Sequence, residues 1–292
     1  MQVRMQVRLQ LRRGHRVQLR LLCDRRRGCK ELNRVNKKRR RRLLIGAVAI
    51  TVVIALAAIY AELSGLIVLR KTEDMSASGS AISILYVGNS DVFVGNLPQQ
   101  LKTIAQSQNL EIAYKDLSRH ANRGGTLREL KDSAISEMTN KQFDYLVMTG
   151  NNKQISEDYE GFLENVQALS AEARHRGVIP VLLNTAWTAD KENLSIATDV
   201  YKRVADELDI VLVNAADAWA HAYQEIPEVS LITKFDPRGP HPSKAGGFLT
   251  ACVFAATLFD LQVEEIPKDS HYKGSDAIEL AQIAWDFVKT SQ

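Results

Sequence analysis

The sequence predicts an α/β domain whose parallel sheet is covered by helices on both faces, preceded by one apolar segment long enough to span a membrane. Three observations predict it. From residue 81 onward, short runs rich in β-branched residues alternate with longer amphipathic stretches. Those runs are almost wholly apolar, as strands buried on both faces are, and the stretches between them supply the crossovers that parallel strands need. Residues 43–61 carry no charged side chain at all.

Taken in order, Ile82–Val87 (ISILYV) reads as the first strand and the stretch from about Leu97 to Gln108 as a helix. A second strand falls near Leu110–Lys115, and a helix runs from Thr126 to about Met138. Phe143–Thr149 (FDYLVMT) is the third strand, followed by an amphipathic helix over Glu157–Arg176 that Gly177 ends. Val178–Asn184 (VIPVLLN) is the fourth strand, Ser195–Leu208 a helix and Ile210–Asn214 (IVLVN) the fifth strand. Helices over about Ser243–Phe259 and Ser275–Lys289 complete the pattern. No internal repeat is visible, and residues 81–292 make one domain.

At 45% apolar and 25% charged, the composition suits a globular core and excludes a disordered, collagenous or disulfide-knotted chain. Three cysteines (Cys23, Cys29 and Cys252) are too few for a disulfide framework. Cys252 shares an apolar helix face with Phe248, Leu249, Val253 and Phe254 and reads as core. No Cys/His cluster has zinc-ligand spacing, so neither a metal nor another cofactor is expected.

The charge is unevenly spread. Residues 1–42 hold 17 Lys/Arg against Asp24 and Glu31, a balance of +15; with +4 for the whole chain, residues 43–292 carry −11. An acidic body repels polyanions, so no nucleic-acid partner is expected for the folded domain. The first 42 residues read as a disordered basic arm in the cytoplasm, where Cys23 and Cys29 would stay reduced.

Leu43–Leu69 has Glu62 as its only charge. As a helix, its first 19 residues (Leu43–Ala61) would rise ~28 Å, close to the ~30 Å of a bilayer's hydrocarbon core. The basic run Lys37–Arg42 directly before it places the N-terminus in the cytoplasm and the domain outside. The segment thus reads as an uncleaved signal-anchor, with a cleaved signal peptide and a secreted domain as the alternative. A start at Val35 would leave a compact basic-plus-apolar segment with the usual shape of an export signal. Residues 70–80 (RKTEDMSASGS) are a polar, turn-prone linker.

Ligands of such sheets bind at the carboxyl ends of the strands. Four polar segments fall there. Gly88-Asn89-Ser90-Asp91 follows the first strand and presents a hydroxyl beside the backbone N–H groups of a turn. Arg123-Gly124-Gly125-Thr126 lets backbone N–H groups approach a ligand closely. Gly150-Asn151-Asn152-Lys153 follows the third strand and offers side-chain amide donors. The proline-stiffened run Asp236–Ser243 delivers His241 just before a helix. His15, His120, His175, His221 and His271 have no such context, and Trp187, Trp219 and Trp285 read as packing residues.

In this order and on these elements, the four segments resemble the SGNH (GDSL-like) hydrolase superfamily, whose markers are Ser, Gly, Asn and His in chain order. The resemblance covers roughly residues 82–260, and its last block here is His241-Pro242-Ser243-Lys244-Ala245-Gly246. It implies a flavodoxin-like three-layer α/β/α fold with a five-stranded parallel sheet, and serine-dependent ester hydrolysis. Carried over residue by residue, Ser90 is the nucleophile and His241 its general base. The Ser90 N–H, a backbone N–H of Gly124 or Gly125 and the Asn152 side chain form the oxyanion hole.

Three positions depart from the family pattern. The family's acidic residue three places before the histidine is Arg238 here, and Asp236, five places before, is the candidate third member of a triad. Lys153 stands where many relatives have aspartate. Asp91 directly follows the nucleophile, where a carboxylate opposes a forming oxyanion unless it points to solvent. The function expected is a carboxylesterase or deacetylase acting outside the cytoplasmic membrane on an ester or an acetylated glycan. An O-acyltransferase on a cell-envelope glycan and an inactive SGNH-like binding or scaffold domain are the alternatives.

Overall fold

The computed structural model describes residues 81–120, 126–151, 155, 157–185, 191–233 and 240–291. The basic arm, Leu43–Leu69 and the linker lie outside the described residues. Among the described residues no helix is long and apolar enough to cross a membrane.

The chain runs β1 (Ile82–Val87), α1 (Ser90–Val94), α2 (Leu97–Ser107), β2 (Ile112–Asp116), a 3₁₀ turn (Ser118–His120), α3 (Leu127–Asn140) and β3 (Tyr145–Met148). It continues as α4 (Tyr159–His175), β4 (Ile179–Asn184), α5 (Lys191–Leu208), β5 (Val211–Asn214), α6 (Ala215–Glu225), α7 (Lys244–Phe259) and α8 (Ala277–Ser291). The five strands form one parallel sheet in the order β2-β1-β3-β4-β5. This is the flavodoxin-like order, in which the chain reverses direction across the sheet between β1 and β3. All five expected strands are present. The helix before β5 starts at Lys191, about a turn earlier than its apolar pattern predicts.

Two layers of side chains flank the sheet. Ile82, Ile84 and Tyr86 of β1 point to the layer built by α2, α6, α7 and α8. Leu85 and Val87 point the other way, to α3, α4 and α5. That alternation follows from the two-residue period of a strand, and it buries both faces. Helix α7 is apolar almost all round and lies wholly within the first layer, where Cys252 is buried as its sequence context predicts. Trp219, expected to be a packing residue, is fully buried in the same layer.

Local signals set the helix starts. Thr126 accepts a hydrogen bond from the Glu129 N–H at the start of α3, and Ser243 does the same for Gly246 at the start of α7. Helix α6 has no counterpart in the sequence reading. Its alanine-rich run Ala215–Glu225 follows β5 with no intervening loop, so no turn residue announces it.

A close approach joins the turn between α1 and α2 to the start of α7. A side chain at Gly247 would run into the Gly95 carbonyl and the Gln100 amide, and one at Gly95 would sit 3.0 Å from both the Gly247 Cα and the Pro242 Cβ. Gln100 Nε2 ties the two segments together, donating to the Gly95 carbonyl at 2.8 Å and the Lys244 carbonyl at 3.1 Å. Gly247→Ala should therefore lower the chemical denaturation midpoint by an amount equal to about 1–3 kcal/mol, the usual cost of overpacking a filled contact.

Candidate active site

Ser90 is the first residue of α1, capped by Asn89, whose side-chain oxygen accepts the Asp91 N–H at 2.9 Å. The cap holds the turn after β1 open toward the carboxyl edge of the sheet. The other half of the Asn89 amide donates to the Gly150 carbonyl at 2.9 Å, so the ends of β1 and β3 are joined by one buried side chain. The Ser90 N–H is one of the first-turn donors that a helix leaves without an internal partner.

His241 comes from the other end of the domain. Its backbone is fixed by a short antiparallel bridge, Ile232 opposite Pro242, with Thr233 N–H donating to the His241 carbonyl at 2.9 Å and Ser243 N–H to the Leu231 carbonyl at 2.7 Å. Ser243 adds a hydroxyl bond to the Ser230 carbonyl at 2.6 Å. The imidazole is buried, and its Nε2 lies 3.0 Å from Ser90 Oγ. With the ring proton on Nδ1, the hydroxyl donates to Nε2, which is the geometry needed for the imidazole to take the serine proton.

Asp91 does not point into open solvent, contrary to the condition that the sequence set for an active site. It is partly buried, and Thr185, just beyond β4, places its hydroxyl oxygen 3.5 Å from Asp91 Oδ2. Burial pushes the Asp91 carboxyl up to about 6, against the opposing pull of His241, Thr185 and Asn89.

The end of β3 is clamped from the opposite side by Tyr201 of α5. Its buried hydroxyl accepts the Gly150 N–H at 2.8 Å and lies 3.2 Å from Thr149 Oγ1. Burial raises the Tyr201 pKa, so the phenol stays neutral. Next to Gly150 and Asn151, a cleft of about 270 Å³ opens between the starts of α3 and α4, with Leu127, Ile155 and Phe162 in its lining. Ser90 and His241 are not among the described residues that line it.

Of the residues predicted from sequence, Ser90 and His241 are brought together. Gly124, Gly125, Asn152 and Asp236 lie outside the described residues, as do Lys153, Arg238 and Trp187. Among the described residues no group of three or more His, Cys, Asp or Glu side chains is placed to hold a metal ion. Tyr201 and the bridging role of Asn89 escaped sequence reasoning. An Asn before a helix signals a cap, but nothing in the sequence brings residue 201 to the end of β3.

No family model matches the chain, and no curated protein matches it. Among solved structures, a DUF4886 family protein from Bacteroides uniformis is similar over 73% of this chain and 96% of its own, at 14% identity and a TM-score of 0.57. That likeness is one of fold. A candidate SGNH hydrolase from Slackia heliotrinireducens aligns over 61% of this chain and 99% of its own, at 22% identity and a TM-score of 0.48. An acetylxylan esterase from Geobacillus stearothermophilus aligns over 62% and 95%, at 16% identity and a TM-score of 0.48.

The raised Asp91 carboxyl has a consequence for stability. Its folded pKa lies above its unfolded value, so the ionised form costs stability at pH above about 6, and that cost disappears below about 4. Asp91→Asn should raise the melting temperature at pH 7 to 8 by the equivalent of about 1–2 kcal/mol, with the gain shrinking to nothing as the pH falls to about 4.

Proposed function

We propose that this domain is a serine-dependent ester hydrolase of the SGNH type, tethered outside the cytoplasmic membrane by Leu43–Leu69. The observation that carries the reading is the 3.0 Å contact between Ser90 Oγ and His241 Nε2 at the carboxyl edge of the sheet, across 151 residues of chain. A scaffold domain has no need of a buried imidazole held at that distance from a hydroxyl on the first turn of a helix, so the geometry supports catalysis over the inert alternative. The domain's sheet topology and its likeness in fold to solved α/β structures agree with this reading.

In the first step His241 Nε2 takes the Ser90 proton as Oγ attacks the ester carbonyl. The C–O π electrons move to the carbonyl oxygen, which the Ser90 N–H and the donors implied by the resemblance (Gly124 or Gly125, and Asn152) would receive. Collapse expels the alcohol, which takes the proton from His241, and leaves an acyl-serine. Water, deprotonated by the same imidazole, then attacks the acyl carbon, and Ser90 is regenerated as the acid departs. Asp236 is proposed as the carboxylate that orients the ring. The location outside the membrane rests on the basic run before residue 43, and it makes envelope esters, including acetylated glycans, the substrates to test first.

Labelling by a fluorophosphonate tests the reading directly. The wild-type chain should be labelled and should hydrolyse an aryl acetate. Ser90→Ala should abolish both, and His241→Gln should reduce turnover by on the order of 10⁴–10⁶-fold. Wild-type turnover in Ser90→Ala would refute the assignment. Asn152→Ala should cost ~10²–10³ in kcat, the loss that follows removal of one oxyanion donor.

A further inference from the structure

Past the end of β3, the Thr149 N–H still donates to the Val87 carbonyl of β1 at 3.0 Å, but both polar groups of buried Gly150 are taken by side chains. The Tyr201 hydroxyl of α5 accepts the Gly150 N–H at 2.8 Å, and the Asn89 side chain donates to the Gly150 carbonyl at 2.9 Å. The proton of the phenol lies within reach of two acceptors, Thr149 Oγ1 at 3.2 Å and the Gly150 carbonyl at 3.3 Å. Burial raises the Tyr201 pKa, so that proton is retained. The ring itself meets Phe162 edge-on, with centroids 5.3 Å apart. The path does not stop at Gly150. The oxygen of the same Asn89 amide accepts the Asp91 N–H at 2.9 Å, and Ser90 is the residue between the two.

We infer that Tyr201 is a positioning residue for the nucleophile: by holding the Gly150 backbone it holds Asn89, and through Asn89 it sets the place of Ser90 at the start of α1. Every link of this path is buried or partly buried, where a backbone N–H left without a partner is costly. Without the hydroxyl, the Gly150 N–H can regain a partner only by moving, and the carbonyl of the same residue moves with it. Asn89 bonds that carbonyl, so the shift is passed to the turn that carries Ser90. A misplacement of ~1 Å can cost about 10²-fold in rate, so a fraction of that at Ser90 is measurable. A hydroxyl that served stability alone would leave the turnover of each folded molecule unchanged.

The effect on turnover rests on the esterase reading, whereas the hydrogen-bond path does not, and the test separates them. Tyr201→Phe keeps the ring against Phe162 and removes only the hydroxyl. In the full-length chain, with active sites counted by a fluorophosphonate, it should lose about tenfold in kcat/KM on an aryl acetate and label about tenfold more slowly. Val204→Ala, which trims a fully buried side chain of the same helix, should lower the denaturation midpoint and leave the rate per site unchanged. On top of Asn89→Ala, Tyr201→Phe should cost less than about twofold, because the path is already cut. An unchanged rate per site in Tyr201→Phe overturns the inference. So does an equal fall in Val204→Ala, or a full tenfold cost on top of Asn89→Ala. If the wild-type chain is not labelled at all, the esterase reading falls and amide hydrogen exchange, followed by mass spectrometry, decides. Faster exchange over residues 88–94 in Tyr201→Phe, absent from Val204→Ala, then upholds the positioning of Ser90, and any other exchange result overturns it.

Discussion

Ser90 and His241 meet where the start of α7 lies directly against the turn between α1 and α2. Gly95 and Gly247 have no side chains to hold the two segments apart, and Gln100 fastens them by donating to a carbonyl on each. The residues just before α7 bring His241 Nε2 to 3.0 Å from Ser90 Oγ. The bridge between Ile232 and Pro242 then fixes the direction in which His241 enters.

The carboxyl edge of the sheet is polar where the rest of the sheet is apolar, and many of its polar groups are joined in chains. Asn89 joins β1 to β3, and Tyr201 holds the same end of β3 from the other face. Farther along, fully buried Asn184 at the end of β4 donates to Thr198 and to Asn214 at the end of β5. Thr198 and Asn214 in turn donate to Asp217, which Lys202 also binds at 2.9 Å. Burying such groups is costly unless they are partnered, and partnered networks of this kind stiffen what they connect. The carboxyl edge is thus held by side-chain bonds in addition to the strand ladders.

Asp91 carries a cost in stability at this edge. An ionised carboxylate kept out of full contact with water opposes folding, and burial accordingly raises the Asp91 carboxyl. Asparagine at this position would keep the shape and lose the charge.

Much of the fold was legible in the sequence, because strands buried on both faces must be apolar along their whole length and amphipathic helices must repeat every 3.6 residues. Those constraints act on neighbouring residues, so five strands and most helices could be read from local pattern. Helix α6 could not, since it follows β5 without a turn. The chain order of Ser90 and His241, each at a strand end or before a helix, marked them as candidates from sequence alone. Their 3.0 Å separation, the burial of Asp91 against Thr185 and the arrival of Tyr201 at the end of β3 were decided only by the tertiary structure. Each depends on packing between segments 50 to 150 residues apart, and the distance across such contacts is set by side-chain volumes on both sides at once, which no local pattern records.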